Sequence, residues 1–283
     1  MRILLTNDDG LRAPGIAAMY EALVDYHGSF GSSLGGAGTQ VVPIAPLTVQ
    51  SATSHGVTFH EPLMVREEFM SGSGPDDRML GIAVDGRPAD CVKLAITSLW
   101  PERFGAGSRP DLVVSGMNAG ANAGINVIYS GTVAAALEAA FLGIPAIAVS
   151  LHLGKSKPRF DVAARHARHA IQAVLDGLGG LPAPHSCISI NVPITDQEGP
   201  TPPMRVCPMN THGLVDSYER RVSPGGDVYY WASGHGLDFR TTDPGSDVQE
   251  LLSRHITVTP LSYDLTNHRE LGVLRERLAV MTR

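Results

Sequence analysis

The chain has 283 residues, 43% hydrophobic and 18% charged, enough to bury a sizeable core and too apolar for a disordered polymer. Its 22 Lys and Arg stand against 28 Asp and Glu, a formal charge of -6 with no sustained basic run, which argues against long nucleic acids as partners. No apolar run approaches the roughly 18 to 20 residues of a spanning helix, no signal peptide fits the N-terminus, and Cys91, Cys187 and Cys207 lack CxxC spacing. The expectation is a soluble cytoplasmic protein with three thiols and no membrane partner.

In chain order, residues 3–6 read as a strand. Over 14–27, Ile16, Met19, Tyr20, Leu23 and Val24 fall at i, i+3, i+4, i+7 and i+8, one stripe of a helix. A Gly- and Ser-rich loop over 28–39, expected to be a tolerated surface insertion, leads to a strand at 41–45. After Gly86-Arg87-Pro88 a helix runs to about residue 100, with Val92, Ala95, Ile96 and Leu99 inward. A strand at 111–114 precedes a helix over 132–142, which Gly143 and Pro145 close. A strand at 146–151, a helix over 161–178 and a strand at 187–192 follow. This alternation predicts an α/β fold, a mostly parallel sheet with helices on both faces. Beyond Pro193 prolines cluster, and residues 227–232, with Tyr229, Tyr230 and Trp231, look like a β-hairpin arm. The expected division is a catalytic core over 1–195 and an oligomerising arm and tail over 196–283.

Ligands of an open parallel sheet bind beyond the carboxyl ends of its strands, near the point where strand order reverses. The strand at 3–6 empties into Asn7-Asp8-Asp9-Gly10, the strand at 41–45 leads on to Gln50-Ser51, and the strand at 111–114 ends in Ser115-Gly116-Met117-Asn118-Ala119-Gly120. Adjacent carboxylates repel unless a cation or proton lies between them, and Asp8 and Asp9 with a hydroxyl and an amide oxygen form an all-oxygen set suited to Mg²⁺ or Mn²⁺. The plainer alternatives are a turn with a helix cap at Asp8-Asp9-Gly10 and a Ser51 bonded only to its own backbone. Asn122 and then Ser130-Gly131-Thr132 stand at the start of the helix over 132–142, where unpaired N–H groups attract a phosphate, or where Ser130 and Thr132 act only as caps. There is no P-loop and no GxSxG elbow. His166 and His169, flanked by Arg165 and Arg168, read as a solvated helix face.

Four segments in order, Thr6-Asn7-Asp8-Asp9-Gly10, Val84-Asp85-Gly86-Arg87-Pro88-Ala89-Asp90-Cys91-Val92-Lys93, Ser115-Gly116-Met117-Asn118-Ala119-Gly120-Ala121-Asn122 and Tyr129-Ser130-Gly131-Thr132-Val133-Ala134-Ala135-Ala136, resemble the SurE survival-protein family. The match continues through Asn191-Val192-Pro193, Tyr229-Tyr230-Trp231 and Thr242-Asp243, nearly the whole chain. The resemblance implies a metal-dependent 5'/3'-nucleotidase that hydrolyses nucleoside monophosphates, with a Rossmann-like, doubly wound core and a C-terminal arm exchanged in a homodimer or tetramer. Carried over by motif, the metal ligands are Asp8, Asp9, Ser51 and Asn118. Two departures stand out: Leu47 replaces the acid of the usual Ala-Pro-Asp opening, and the 28–39 loop is longer.

Metal-assisted phosphomonoester hydrolysis follows, with Asp8 and Asp9 as catalytic carboxylates and Asn122, Ser130, Gly131 and Thr132 on the substrate. Asp8 and Asp9 are both candidates for accepting the proton of the attacking water, and the sequence offers no obvious general acid. Two competing readings are a nucleotide-binding module without turnover, which has no need of two adjacent acids beside a phosphate, and an adenosyl-cofactor transferase, weakened by the missing glycine fingerprint.

Overall fold

The computed structural model describes residues 1–70, 79–214, 217–233, 237 and 239–281. Strands β1 (Arg2–Thr6), β2 (Gln40–Pro46), β3 (Val65–Phe69), β4 (Leu80–Val84), β5 (Leu112–Ala119), β6 (Ala146–Leu151), β7 (Cys187–Val192), β8 (Met204–Val206) and β11 (Ile256–Leu261) form one sheet in the order β3-β4-β2-β1-β5-β6-β7-β11-β8. The neighbours from β4 through β7 are parallel, whereas β3 on β4 and β11 on β7 are antiparallel. The chain leaves β1 toward β2 and returns on the other side at β5, so the carboxyl ends of β1 and β5 flank the topological switch point.

Successive strand residues point to opposite faces, which assigns the two layers. Ile3 and Leu5 pack with helices α1 (Pro14–Val24) and α5 (Phe160–Leu178), through Ile16, Met19, Ala167 and Ile171. Leu4 packs on the other face with helices α2 (Pro88–Leu94) and α4 (Gly131–Phe141), through Val92, Val133 and Ala136. The helix predicted to run to residue 100 continues beyond α2 as a π-helical turn (Ala95–Leu99) and a short α3 (Trp100–Phe104), anchored by the buried Trp100.

The structure departs from the sequence expectations in four places. The 28–39 loop is pinned to the core: Leu34 is fully buried and its N–H donates to the Leu23 carbonyl at 2.8 Å. His166 and Arg168 are buried under different segments: the His166 ring lies 3.2 Å from the Thr201 hydroxyl, and the Arg168 guanidinium stacks over the Phe30 ring of the 28–39 loop, 5.0 Å from its centroid. The core sheet takes in β8 and β11 from beyond residue 195, and α6 (Asp247–Leu252) packs beside β11. The separate arm is therefore narrower than 196–283: a two-stranded antiparallel hairpin of β9 (Ser217–Val222) and β10 (Val228–Ser233), followed after β11 by helix α7 (His268–Met281). Every residue of both hairpin strands is exposed.

Candidate active site

The turn after β1 is set by Asn7, whose side chain accepts from the Gly10 N–H at 3.2 Å and donates to the Gly10 carbonyl at 2.9 Å. Gly10 has φ +99, a left-handed conformation that a side chain resists, and a Cβ there would stand 3.5 Å from the Pro46 carbonyl oxygen and the Thr48 carbonyl carbon. That turn delivers two neighbouring carboxylates to opposite sides of the sheet edge. Asp8 is buried beside α4: its Oδ1 takes the Thr132 hydroxyl at 2.5 Å, and the Thr132 backbone N–H also bonds it. Gly131 is required there, since a Cβ would stand 2.8 Å from the Asp8 Cβ. Asp9 points toward β5, where its Oδ2 accepts from the Ala119 N–H at 2.8 Å.

Burial pushes the Asp8 carboxyl up to about 6; the Thr132 hydrogen bond opposes this and the Asp9 charge adds to it. Burial raises Asp9 as well, against the Ala119 N–H. Among the described residues no Lys or Arg pairs with either carboxylate. Two adjacent acids held in a partly desolvated site without a cation form a deficit of positive charge, the electrostatic condition a metal ion satisfies.

The other predicted residues divide. Asn118 is half-buried on β5, next to Ala119; its Nδ2 donates to the Gly120 carbonyl at 2.7 Å, so its amide oxygen is the atom that could accept a ligand. Ser51 is exposed, and the Gln50 N–H beside it donates to the Asp8 carbonyl at 2.7 Å, tying its loop to the carboxylates. Ser130 caps α4, its hydroxyl accepting from the Val133 N–H at 3.1 Å while its own hydrogen stays free to donate. Thr132 is fully buried and engaged with Asp8, so the helix start read as an anion site already holds a carboxylate. Asn122 is built into the frame: its N–H donates to Asn191 Oδ1 at 2.8 Å, its Nδ2 to Ser150 Oγ at 2.8 Å, and Asn191 Nδ2 returns a bond to the Asn122 carbonyl at 3.0 Å.

Sequence reasoning gave no role to Asn191 or Ser150, which close this network from β7 and β6, although Asn191-Val192-Pro193 was visible as a motif. It also missed the anchoring of the Ser51 loop. Ser54 Oγ donates to the Ile128 carbonyl at 2.7 Å, His55 Nε2 lies 2.8 Å from Glu138 Oε2, and Thr58 bonds Asp90 through both N–H and hydroxyl at 2.8 Å. Burial would push Glu138 up, but the His55 hydrogen bond and the Lys93 charge at 3.3 Å hold it below the ordinary carboxylate value. A lone histidine and a helix-interior glutamate separated by more than eighty positions carry no local signal of their pairing.

A sequence model described as Survival protein SurE matches residues 3–214. The chain belongs to the SurE family. Relatives named 5'-nucleotidase SurE include one from Desulforudis audaxviator, 39% identical over 98% of this chain and 97% of its own length, and one from Geotalea daltonii, 40% identical over 98% of each. The crystal structure of the SurE protein from Aquifex aeolicus superposes with a TM-score of 0.75 at 31% identity, covering 98% of this chain and 99% of that one. The doubly wound core and the Asp8-Asp9 turn therefore stand in a SurE framework that spans almost the entire chain. The oxygen donors of Asp8, Asp9 and Asn118, with Ser51 on the adjoining loop, fit a hard divalent cation.

Proposed function

We propose that this chain is a metal-dependent 5'-nucleotidase that hydrolyses nucleoside monophosphates to nucleoside and phosphate. The observation that carries the reading is the pair of uncompensated carboxylates at the switch point, one of them seated on the N-terminus of α4. Asp8, Asp9, Asn118 and Ser51 would hold one Mg²⁺ or Mn²⁺, which supplies neutralisation of the phosphate charge and activation of water. The chain's own part is positioning. Thr132 fixes Asp8 Oδ1, so the second carboxylate oxygen has a set direction, and the Ala119 N–H does the same for Asp9. The first-turn N–H of Gly131 and the hydroxyl hydrogen of Ser130 are the donors for phosphate oxygens, where developing charge is best stabilised. Asn122 acts from behind, locking the ends of β5, β6 and β7 together.

The exposed arm, with Tyr218, Tyr230 and Trp231 each more than 60% exposed, supports self-association as a homodimer or tetramer. Among the described residues no helix is long and apolar enough to cross a membrane, and all three cysteines are buried free thiols, in keeping with the cytoplasmic location we propose. Phosphate release from a nucleoside 5'-monophosphate, measured in Mg²⁺ or Mn²⁺ and again in excess EDTA, tests the reading. Turnover should require the cation; undiminished turnover in EDTA would remove the metal from the mechanism, and nucleotide binding without turnover would leave a binding module.

A further inference from the structure

The loop that carries Ser51 is laid along α4. Ser54 is tied to the approach to that helix, its hydroxyl donating to the Ile128 carbonyl at 2.7 Å and its N–H to the Tyr129 carbonyl at 3.1 Å. At the helix's far end the His55 ring stacks on Phe141, centroids 5.0 Å apart and planes 6° from parallel, and His55 Nε2 lies 2.8 Å from Glu138 Oε2. A carboxylate only accepts, so the ring N–H donates. Glu138 is buried among Ala134, Ala135 and Ala139, with Lys93 of α2 at 3.3 Å from its other oxygen. A buried carboxylate is weak evidence for stability, because a well-packed apolar side chain in its place is often neutral or better. What this one holds is a loop bent out of its relaxed shape: Ala52 and Ser54 have φ +57 and +54, left-handed conformations that residues with a Cβ resist.

We propose that Glu138 and His55 are positioning residues for the metal: touching neither cation nor substrate, they hold the Ser51 loop against the Asp8 turn. The inference deepens the metal-dependent nucleotidase reading and rests on it. Helix α4 then serves as a common frame, fixing Asp8 through Thr132 near its start and the Ser51 loop through Glu138 and His55 farther along. A ligand on an exposed loop contributes only as far as the loop is already set, since ordering it at the moment of binding costs conformational entropy. Removing the groups behind a ligating residue changes metal affinity or activity by about 10- to 100-fold. The lower end, about tenfold, is expected here, because Ser51 is one neutral ligand beside two carboxylates and because Gln50 and Ser54 keep tethers of their own.

Calorimetric titration of Mn²⁺ into EDTA-stripped protein, with a melting temperature for each sample, compares wild type, Ser51→Ala, His55→Ala, Glu138→Ala, Glu138→Gln and the double variant Ser51→Ala/His55→Ala. The His55 side chain is 28% exposed and lies outside the core, so its truncation tests the proposal even where Glu138→Ala does not fold. Ser51→Ala and His55→Ala should each weaken Mn²⁺ binding about tenfold. The double variant should bind no more weakly than Ser51→Ala, because a residue that acts through Ser51 then has nothing left to position. Glu138→Ala should match His55→Ala, and Glu138→Gln, which keeps an acceptor for the ring, should restore most of the affinity. Wild-type affinity in His55→Ala or in Ser51→Ala would overturn the inference while the nucleotidase reading stands, as would losses that multiply in the double variant. A lowered melting temperature with unchanged Mn²⁺ affinity would make the pair merely structural and overturn it too. A wild type that binds no Mn²⁺ would overturn the underlying reading with it.

Discussion

The turn at Asp8 and Asp9 and the hairpin of β9 and β10 are opposite kinds of structure. At the turn each polar group is held by a specific neighbour: Asp8 by Thr132, Asp9 by the Ala119 N–H, Asn122 by Asn191 and Ser150. Among the described residues the hairpin pairs only with itself, over six registered positions, and its aromatic residues are exposed. Site geometry is therefore fixed within one chain, whereas an isolated two-stranded hairpin is marginal in water, which is why the arm's self-association is a proposal to be tested by assembly. The first region should fail in function when altered, and the second in assembly.

The largest expected effect is on turnover. Asp8→Asn and Asp9→Asn should each lower nucleotide hydrolysis on the order of 10² or more, because each removes a charge from the site while leaving its hydrogen-bond acceptor in place. The melting temperature of metal-free Asp8→Asn should not fall, since the substitution relieves the cost of burying an ionised group. Loss of both activity and fold would blur the contrast between the two regions.

A smaller effect follows from acid-base linkage. The folded Asp8 carboxyl titrates at about 6 against 3.8 ordinarily, so between those values the folded state holds a proton the unfolded chain has released. Metal-free protein should gain stability as pH falls from 7 toward 4, by up to about 3 kcal/mol. Denaturant titrations in EDTA at several pH values read this slope, and Asp8→Asn should flatten it. Metal binding should weaken over the same fall in pH because protons compete for the carboxylate.

Asn191→Ala leaves the Asn122 N–H and carbonyl buried without partners and should cost about 1 to 3 kcal/mol of stability in a denaturant titration. Smallest of all, deleting residues 217–233 should leave the stability of the core nearly unchanged. Its effect should appear in light scattering, as a fall in mass toward the monomer. An intact chain that already scatters as a monomer of about 30.0 kDa would show that the arm needs no second copy.

These contrasts explain what was legible. The central strands and their helices showed themselves because apolar residues recur at helical spacing between short buried runs, as in Ile16, Met19 and Leu23 or in Ala146–Leu151. The sheet edges did not. β3, Val-Arg-Glu-Glu-Phe, is a largely exposed edge strand, and β4 is interrupted by Gly81. β11, Ile256–Leu261, has no place among the sequence expectations, and its antiparallel pairing beside β7 is a long-range fact. At the site, Asp8, Asp9 and Asn118 were legible as candidates because they follow strands at the carboxyl edge of the sheet, where ligands of such folds bind. The engagement of Thr132 with Asp8 across 124 positions, and of Asp247 with the Gly124 and Asn210 N–H groups, arises only once the chain is folded.

The central claim is that Asp8, Asp9 and Asn118 hold one divalent cation at the switch point. Calorimetric titration of Mn²⁺ into EDTA-stripped wild type, Asp8→Asn and Asn118→Ala tests it directly. The account predicts one site per chain in the wild type and affinity weakened at least about tenfold in each variant. Equal Mn²⁺ affinity in all three proteins would contradict it.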